Sequence, residues 1–99
     1  MIEILQTKEF SDWCGGLLLK DKAQIDARIV RIKEFEHFGD WKYLGEHLAE
    51  LRWKGGRRIY FSKVGSKLIL LLNGGLKNDQ KKDIKKARNI LQRYTELET

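Results

Sequence analysis

Glu50, Arg52, Lys54, Arg58 and Tyr60 are the residues of this chain whose types and spacing suit chemistry on a phosphodiester. Across residues 47–54 and 57–63 polar and apolar residues alternate with a period of two. That is the pattern of strands whose successive side chains point to opposite faces. One face carries Ala49, Leu51, Trp53, Ile59 and Phe61 and is expected to meet helices. The other carries Leu48, Glu50, Arg52, Lys54, Arg58, Tyr60 and Ser62. It is expected to be an open polar platform rather than a core. Lys77, beyond the next apolar strand, is expected to reach the same rim.

Metal-free RNA cleavage needs such a set. The ribose 2′-hydroxyl attacks the adjacent phosphate, so the enzyme must accept that proton, stabilise the added charge and protonate the leaving oxygen. Fixed Arg and Lys side chains supply the charge stabilisation, commonly the largest contribution, and Arg grips phosphate oxygens bidentately. Base and acid are open among Glu50, Lys54, Lys77 and Tyr60. Tyr60 could instead stack on a base. The plain structural alternative is that Glu50, Arg52 and Arg58 are cross-strand ion pairs on a wet sheet face.

Other chemistries find less support. His37, His47 and Cys14 have no metal-ligand spacing, and neither metal nor cofactor is expected. Cys14 falls in an apolar helical stripe, and His47 on the Ala49 side reads as a packed or edge histidine. Asn73-Gly74-Gly75 lacks the further glycine and Lys-Ser/Thr of a phosphate-binding loop.

The elements that must position these residues follow from periodicity. Residues 2–6 read as a first strand. Phe10, Trp13, Cys14, Leu17 and Leu18 form one helical stripe after Thr7. Asp21 reads as the cap of a second helix with Ile25, Ile29, Ile32 and Phe35 buried. Gly15-Gly16 weakens the first helix or admits another backbone. Residues 37–42 read as a break. Gly55-Gly56 turns between the alternating strands, and the unbroken apolar run 68–72 reads as a strand covered on both sides. Residues 73–77 read as a glycine loop, with Asn78 capping a last helix buried along Ile84, Ala87, Leu91 and Tyr94. The order is β-α-α-β-β-β-α, an α+β class.

The 99 residues make one domain, 1–99, large enough for one core. The net charge of +6 is unevenly placed. Residues 1–50 hold 7 Lys/Arg against 10 Asp/Glu, net −3, and residues 51–99 hold 13 against 4, net +9. A one-sided basic surface attracts phosphate backbones and acidic protein segments alike. Lys81, Lys82, Lys85, Lys86 and Arg88 crowd the last helix; they are either a solvated face or, through Lys81 and Lys85, a nonspecific hold on RNA. The apolar run 68–72 is too short to span a membrane. No basic-flanked apolar leader opens the chain, and the lone cysteine excludes an internal disulfide, so a cytoplasmic protein is expected.

Several segments occur in a telling order. They are Phe10-x-x-Trp13, Ala27-Arg28-Ile29, Phe38-Gly39-Asp40, Glu50-Leu51-Arg52, Arg58-Ile59-Tyr60-Phe61, Leu71-Leu72-Asn73-Gly74-Gly75-x-Lys77, Gln80, Asp83-Ile84 and Ala87. Over about residues 10–90 the chain resembles the RelE/HigB-like toxins, in particular their phage-derived addiction module killer branch, within the RelE/ParE superfamily. The resemblance implies a twisted antiparallel sheet with two N-terminal helices on one face and a C-terminal helix. It implies the toxin of a type II toxin–antitoxin system, an endoribonuclease that inhibits translation by cutting mRNA on the ribosome. The implied partners are the ribosome, mRNA and a cognate antitoxin, usually a helix-turn-helix protein. The family's basic strand residues match Arg52 and Arg58, with Lys77 near its basic residue after the last strand. The Tyr or His that many RelE-type toxins place near the C-terminus has only Tyr94 as its counterpart, and Tyr94 reads as core. ParE-type relatives share the fold and poison DNA gyrase, and a plain binding module is a further alternative.

Overall fold

The structure, a computed structural model, describes residues 2–97. Strand β1 (Glu3–Gln6) leads into helices α1 (Lys8–Gly15) and α2 (Leu19–Phe35). Strands β2 (Trp41–Gly45), β3 (Leu48–Arg52), β4 (Arg57–Val64) and β5 (Leu68–Leu76) follow. A single 3₁₀ turn (Lys77–Asp79) then opens helix α3 (Gln80–Leu97). The sheet has five strands in the order β1-β5-β4-β3-β2. β2 to β5 pair antiparallel, and β1 joins β5 in parallel. The fold is α+β.

Alternation along the strands divides the apolar residues into two layers. On one face Leu51, Ile59, Phe61, Ile69 and Leu71 pack against Phe10, Ile25 and Ile32 of α1 and α2. On the other, Leu48, Tyr60, Leu70 and Leu72 pack against Ala87 and Ile90 of α3. The 68–72 run is thus covered on both sides, as its unbroken apolar character requires. Thr7 starts α1: its Oγ1 accepts from Phe10 N–H at 3.0 Å and donates to Leu72 O at 2.6 Å. This one hydroxyl both caps a helix and ties it to β5.

Several boundaries differ from the periodicity reading. The segment read as a break, residues 37–42, runs into a strand the periodicity did not show, β2, whose Trp41, Lys42 and Tyr43 pair with Leu51, Glu50 and Ala49. What holds it is a long-range contact. The buried guanidinium of Arg28 donates through Nε to Phe38 O at 3.0 Å and also to Asp40 O and Arg52 O. Gly39, at φ +71°, lies against that guanidinium in a conformation that favours glycine. α1 ends at Gly15, so the two glycines terminate the helix, and Leu18 and Phe35 are exposed at helix ends rather than buried. Asp21 sits inside the first turn of α2 and pairs with Arg57 at 2.7 Å. Asn78 lies within the 3₁₀ turn and does not cap α3.

The largest correction concerns the polar platform. The face of Glu50 and Tyr60 is not open, because α3 lies across it, and both residues are 0% exposed. The physical reason is that α3 is itself amphipathic. With α1 and α2 occupying one face of the sheet, its apolar stripe has the other face to cover.

Candidate functional site

The β3–β4–β5 register arranges the polar residues under α3 in two cross-strand rows. One row is Glu50, Tyr60 and Asn73; the next, nearer the β3–β4 turn, is Arg52, Arg58 and Gly75. A register shift at Tyr60/Phe61 leaves one extra residue in β5, so Leu72 and Asn73 both turn toward α3. Asn73 Nδ2 accordingly donates to Asp83 O at 3.1 Å.

The glycines read as a loop are strand residues, and each marks a close approach. A Cβ on Gly74 would overlap the Trp13 ring, and one on Gly75 would overlap the Asp83 carboxylate. Gly75 stands directly opposite Arg58. Its missing side chain is what lets the first turns of α3 settle onto the site.

Glu50 organises the inner row. Its Oε1 accepts from Arg52 Nε at 2.8 Å, and both oxygens accept from Gln80 Nε2, at 3.1 and 2.9 Å. A buried carboxylate held this way stays compensated and orients both donors. Gln80 is a site residue that the strand alternation does not reveal, because it comes from α3. Arg58 lies across from Arg52, and its Nη1 donates to Trp53 O at 3.2 Å and Arg57 O at 3.0 Å. Its Nε is buried without a partner among the described residues, as are Tyr60 Oη and Asn73 Oδ1. Burial, then the nearby carboxylates of Glu50 and Asp83, raise the Tyr60 phenol far above its ordinary value. That phenol stays neutral. With its ring fully covered, Tyr60 presents no face to a base, which corrects the expectation of stacking.

Lys54 and Lys77 are exposed at the rim. Lys77 N–H donates to Gly56 O at 2.7 Å, which fastens the start of the 3₁₀ turn to the β3–β4 turn that carries Lys54. Lys81 and Lys85 are exposed on α3. Arg88 belongs to a tether instead: it donates to Leu44 O at 3.2 Å and Gly45 O at 3.3 Å. Tyr94, read as core, is 37% exposed and borders an open groove of about 850 Å³ between α3 and the sheet. Cys14 is half-buried against the α1/α2 core, and His47 sits exposed in the β2–β3 turn at φ +68°. No group of three metal-ligating side chains occurs among the described residues.

Sequence reasoning missed Arg28. Its guanidinium also lies over the Trp53 ring at 4.4 Å, so one buried cation supports the backbone of Arg52 from behind. Burial lowers its pKa.

With this geometry in view, the architecture is that of RelE. The intact E. coli RelBE toxin–antitoxin complex contains a chain that superposes with a TM-score of 0.65 at 13% identity, over 77% of this chain and 96% of that one. The isolated E. coli RelE toxin gives 0.65 at 13% identity, over 77% and 84%. The conserved hypothetical protein HP0892 from Helicobacter pylori gives 0.51 at 15%, over 81% and 99%. No family model matches the sequence. An uncharacterized protein of Haemophilus influenzae is 40% identical over 94 residues, covering 92% of this chain and 94% of that protein. The chain belongs to the same family as that Haemophilus protein. No helix among the described residues is long and apolar enough to cross a membrane.

Proposed function

We propose that this chain is the toxin of a type II toxin–antitoxin pair and an endoribonuclease that cuts mRNA on the ribosome. The observation that carries this reading is the Arg52–Arg58 cross-strand pair at the rim of the sheet. Arg52 is held by Glu50 through Nε, and Arg58 keeps a buried Nε without a partner among the described residues. Two guanidiniums fixed this way suit the charge that builds on a phosphate when a 2′-hydroxyl attacks it. Lys54 and Lys77 border the same rim and would neutralise flanking phosphates or protonate the leaving oxygen, and the exposed Lys81 and Lys85 would hold RNA along α3. Glu50 serves chiefly to position Arg52 and Gln80. The RelE-like fold supports the toxin class, and the RelBE complex supports a cognate antitoxin, which we take to be a helix-turn-helix protein. The cytoplasm, where ribosomes translate, is the matching compartment.

The test is induction of the chain alone, with mapping of 5′ ends of cellular mRNA. Growth arrest with new ends confined to translated regions supports the proposal. Arrest with DNA-damage signalling and unchanged ends replaces it with a ParE-type gyrase poison, and absence of arrest replaces it with a binding module.

A further inference from the structure

The cross-strand row of Arg52, Arg58 and Gly75 has a third side chain that does not come from the sheet. A Cβ on Gly75 would fall on Asp83 Oδ2, so the Asp83 carboxylate occupies the place that a side chain at position 75 would take. Neighbouring strands lie about 4.8 Å apart. The positions of two arginines and one carboxylate thus succeed one another across β3, β4 and β5. α3 holds the carboxylate there. Asp83 O accepts from Asn73 Nδ2 at 3.1 Å, and Gln80, three residues earlier on the same helix face, binds Glu50.

An acidic residue in the first turn of a helix ordinarily serves the helix dipole, which favours its charged form. Asp83 is shifted the other way. Burial, then Asp79, raise its pKa against the opposing pull of Lys82 and Lys86. Its neighbours on β4 are Tyr60, whose phenol feels its charge, and Arg58, opposite Gly75; Glu50 and Arg52 lie one strand beyond. It forms no salt bridge among the described residues. A carboxyl kept in this state beside a cationic row has the readiness to accept a proton that a general base requires.

The other groups of the site are poor acceptors. Glu50 is 0% exposed, and its oxygens are taken by Arg52 and Gln80. Tyr60 is equally sealed and stays neutral. Lys54 and Lys77 are ammonium groups, which donate and do not accept. Asp83 keeps 8% of its surface exposed and stands in the row itself. We infer that Asp83 is the general base of the site, taking the 2′-hydroxyl proton of an RNA whose phosphate sits between Arg52 and Arg58. The inference rests on the endoribonuclease reading. The proton passes to the Asp83 carboxylate, and the 2′-oxygen bonds to phosphorus. The bond from phosphorus to the 5′-oxygen breaks as that oxygen takes a proton from Lys54 or Lys77. A 2′,3′-cyclic phosphate and a 5′-hydroxyl result, and Asp83 returns its proton to water.

The test is single-turnover cleavage of mRNA on purified ribosomes by the parent, Asp83→Asn and Asp83→Ala. Asn keeps the shape of the side chain and Ala leaves space instead, and thermal unfolding shows that each variant is folded. Both should cut about 10²–10⁴-fold more slowly, the usual contribution of a general base. Both should bind ribosome-held mRNA with a 2′-deoxy nucleotide at the cut as the parent does. An mRNA with sulfur in place of the 5′-oxygen at the cut has a leaving group that needs no proton. It rescues a missing acid and not a missing base, so the deficit of Asp83→Asn relative to the parent should persist on it. Three results would overturn the inference: parent-like cleavage by Asp83→Asn; a loss of 2′-deoxy mRNA binding as large as the loss of cleavage; or rescue by the sulfur substrate, which would make Asp83 the acid. If the parent itself does not cut, the endoribonuclease reading falls and this inference with it. If the parent cuts and Asp83→Asn cuts as fast, this inference falls alone.

Discussion

Arg52 and Arg58 stand opposite each other across the β3–β4 ladder, like charges directly paired on one face. Such a pair is unfavourable by itself. It persists because Glu50 takes the Arg52 Nε and the carbonyls of Trp53 and Arg57 take Arg58 Nη1. A phosphate between the two guanidiniums would relieve the remaining repulsion. Replacing either by Ala should lower mRNA cleavage by about 10²–10³-fold, the size typical for a fixed charge-stabilising donor. Unfolding free energy should fall by only about 1–3 kcal/mol. Cleavage of mRNA on purified ribosomes, alongside denaturant unfolding, separates the two effects. Undiminished cleavage by both variants would remove them from the site.

Arg28 should matter to stability far more than a helix-surface arginine does. It satisfies three carbonyls, those of Phe38, Asp40 and Arg52, and covers Trp53. Arg28→Ala should cost about 3 kcal/mol or more, because the carbonyls lose a shared charged donor. Arg28→Lys should rescue little, since an ammonium cannot match the planar fork or stack on the indole. Denaturant midpoints of the two variants decide this, and near-native stability of Arg28→Lys would refute it.

Gly75→Ala is expected to destabilise by about 1–3 kcal/mol, the usual cost of overpacking, since its Cβ would meet the Asp83 carboxylate. In an Asp83→Ala background the same change should cost distinctly less, a coupling between neighbours. Additive losses in the double variant would show that the contact is not the cause.

Burial, then Asp79, hold the Asp83 carboxyl above its ordinary value of 3.8. The unfolded chain loses this proton near the ordinary value and the folded chain loses it later. In the interval the folded state binds more protons, so the contribution of Asp83 to stability falls as pH rises through it. Asp83→Asn removes that decline. Its melting temperature should exceed the parent's at neutral pH, and the difference should shrink below pH 3.8. Thermal unfolding across that range checks the sign.

The alternation of residues 47–54 and 57–63 carried the strand faces correctly, since Leu51, Ile59 and Phe61 do meet the helices and Glu50, Arg52, Arg58 and Tyr60 do share the other side. Strand faces are local, set by a period of two. Whether a face is wet is not local, and α3 decides it from thirty residues beyond Glu50, where Gln80 binds the carboxylate. The amphipathic stripe Ile84, Ala87, Leu91 was the available signal, because it needed a surface that α1 and α2 had not taken. Arg28 gave no such signal: its partners are backbone carbonyls, which have no residue type. Gly74 and Gly75 read as a loop because glycine weakens strands in general. Here the apparent weakness is clearance for Trp13 and Asp83.

The extra residue in β5 has a consequence for how this gene can change. Before it, odd-numbered positions such as Ile69 and Leu71 face α1 and α2; after it, Gly74 does, and Gly75 faces α3. The strand thus contains a frameshift in three dimensions, and its downstream half is decoded in the second frame. Losing the codon for Leu72 would return the whole strand to one frame: Asn73, Gly74 and Gly75 would keep Tyr60, Ile59 and Arg58 as partners, and the cost would be the Leu72 side chain missing from beneath α3. Length changes at the Gly65 turn carry no such penalty, because no paired residue there depends on the count.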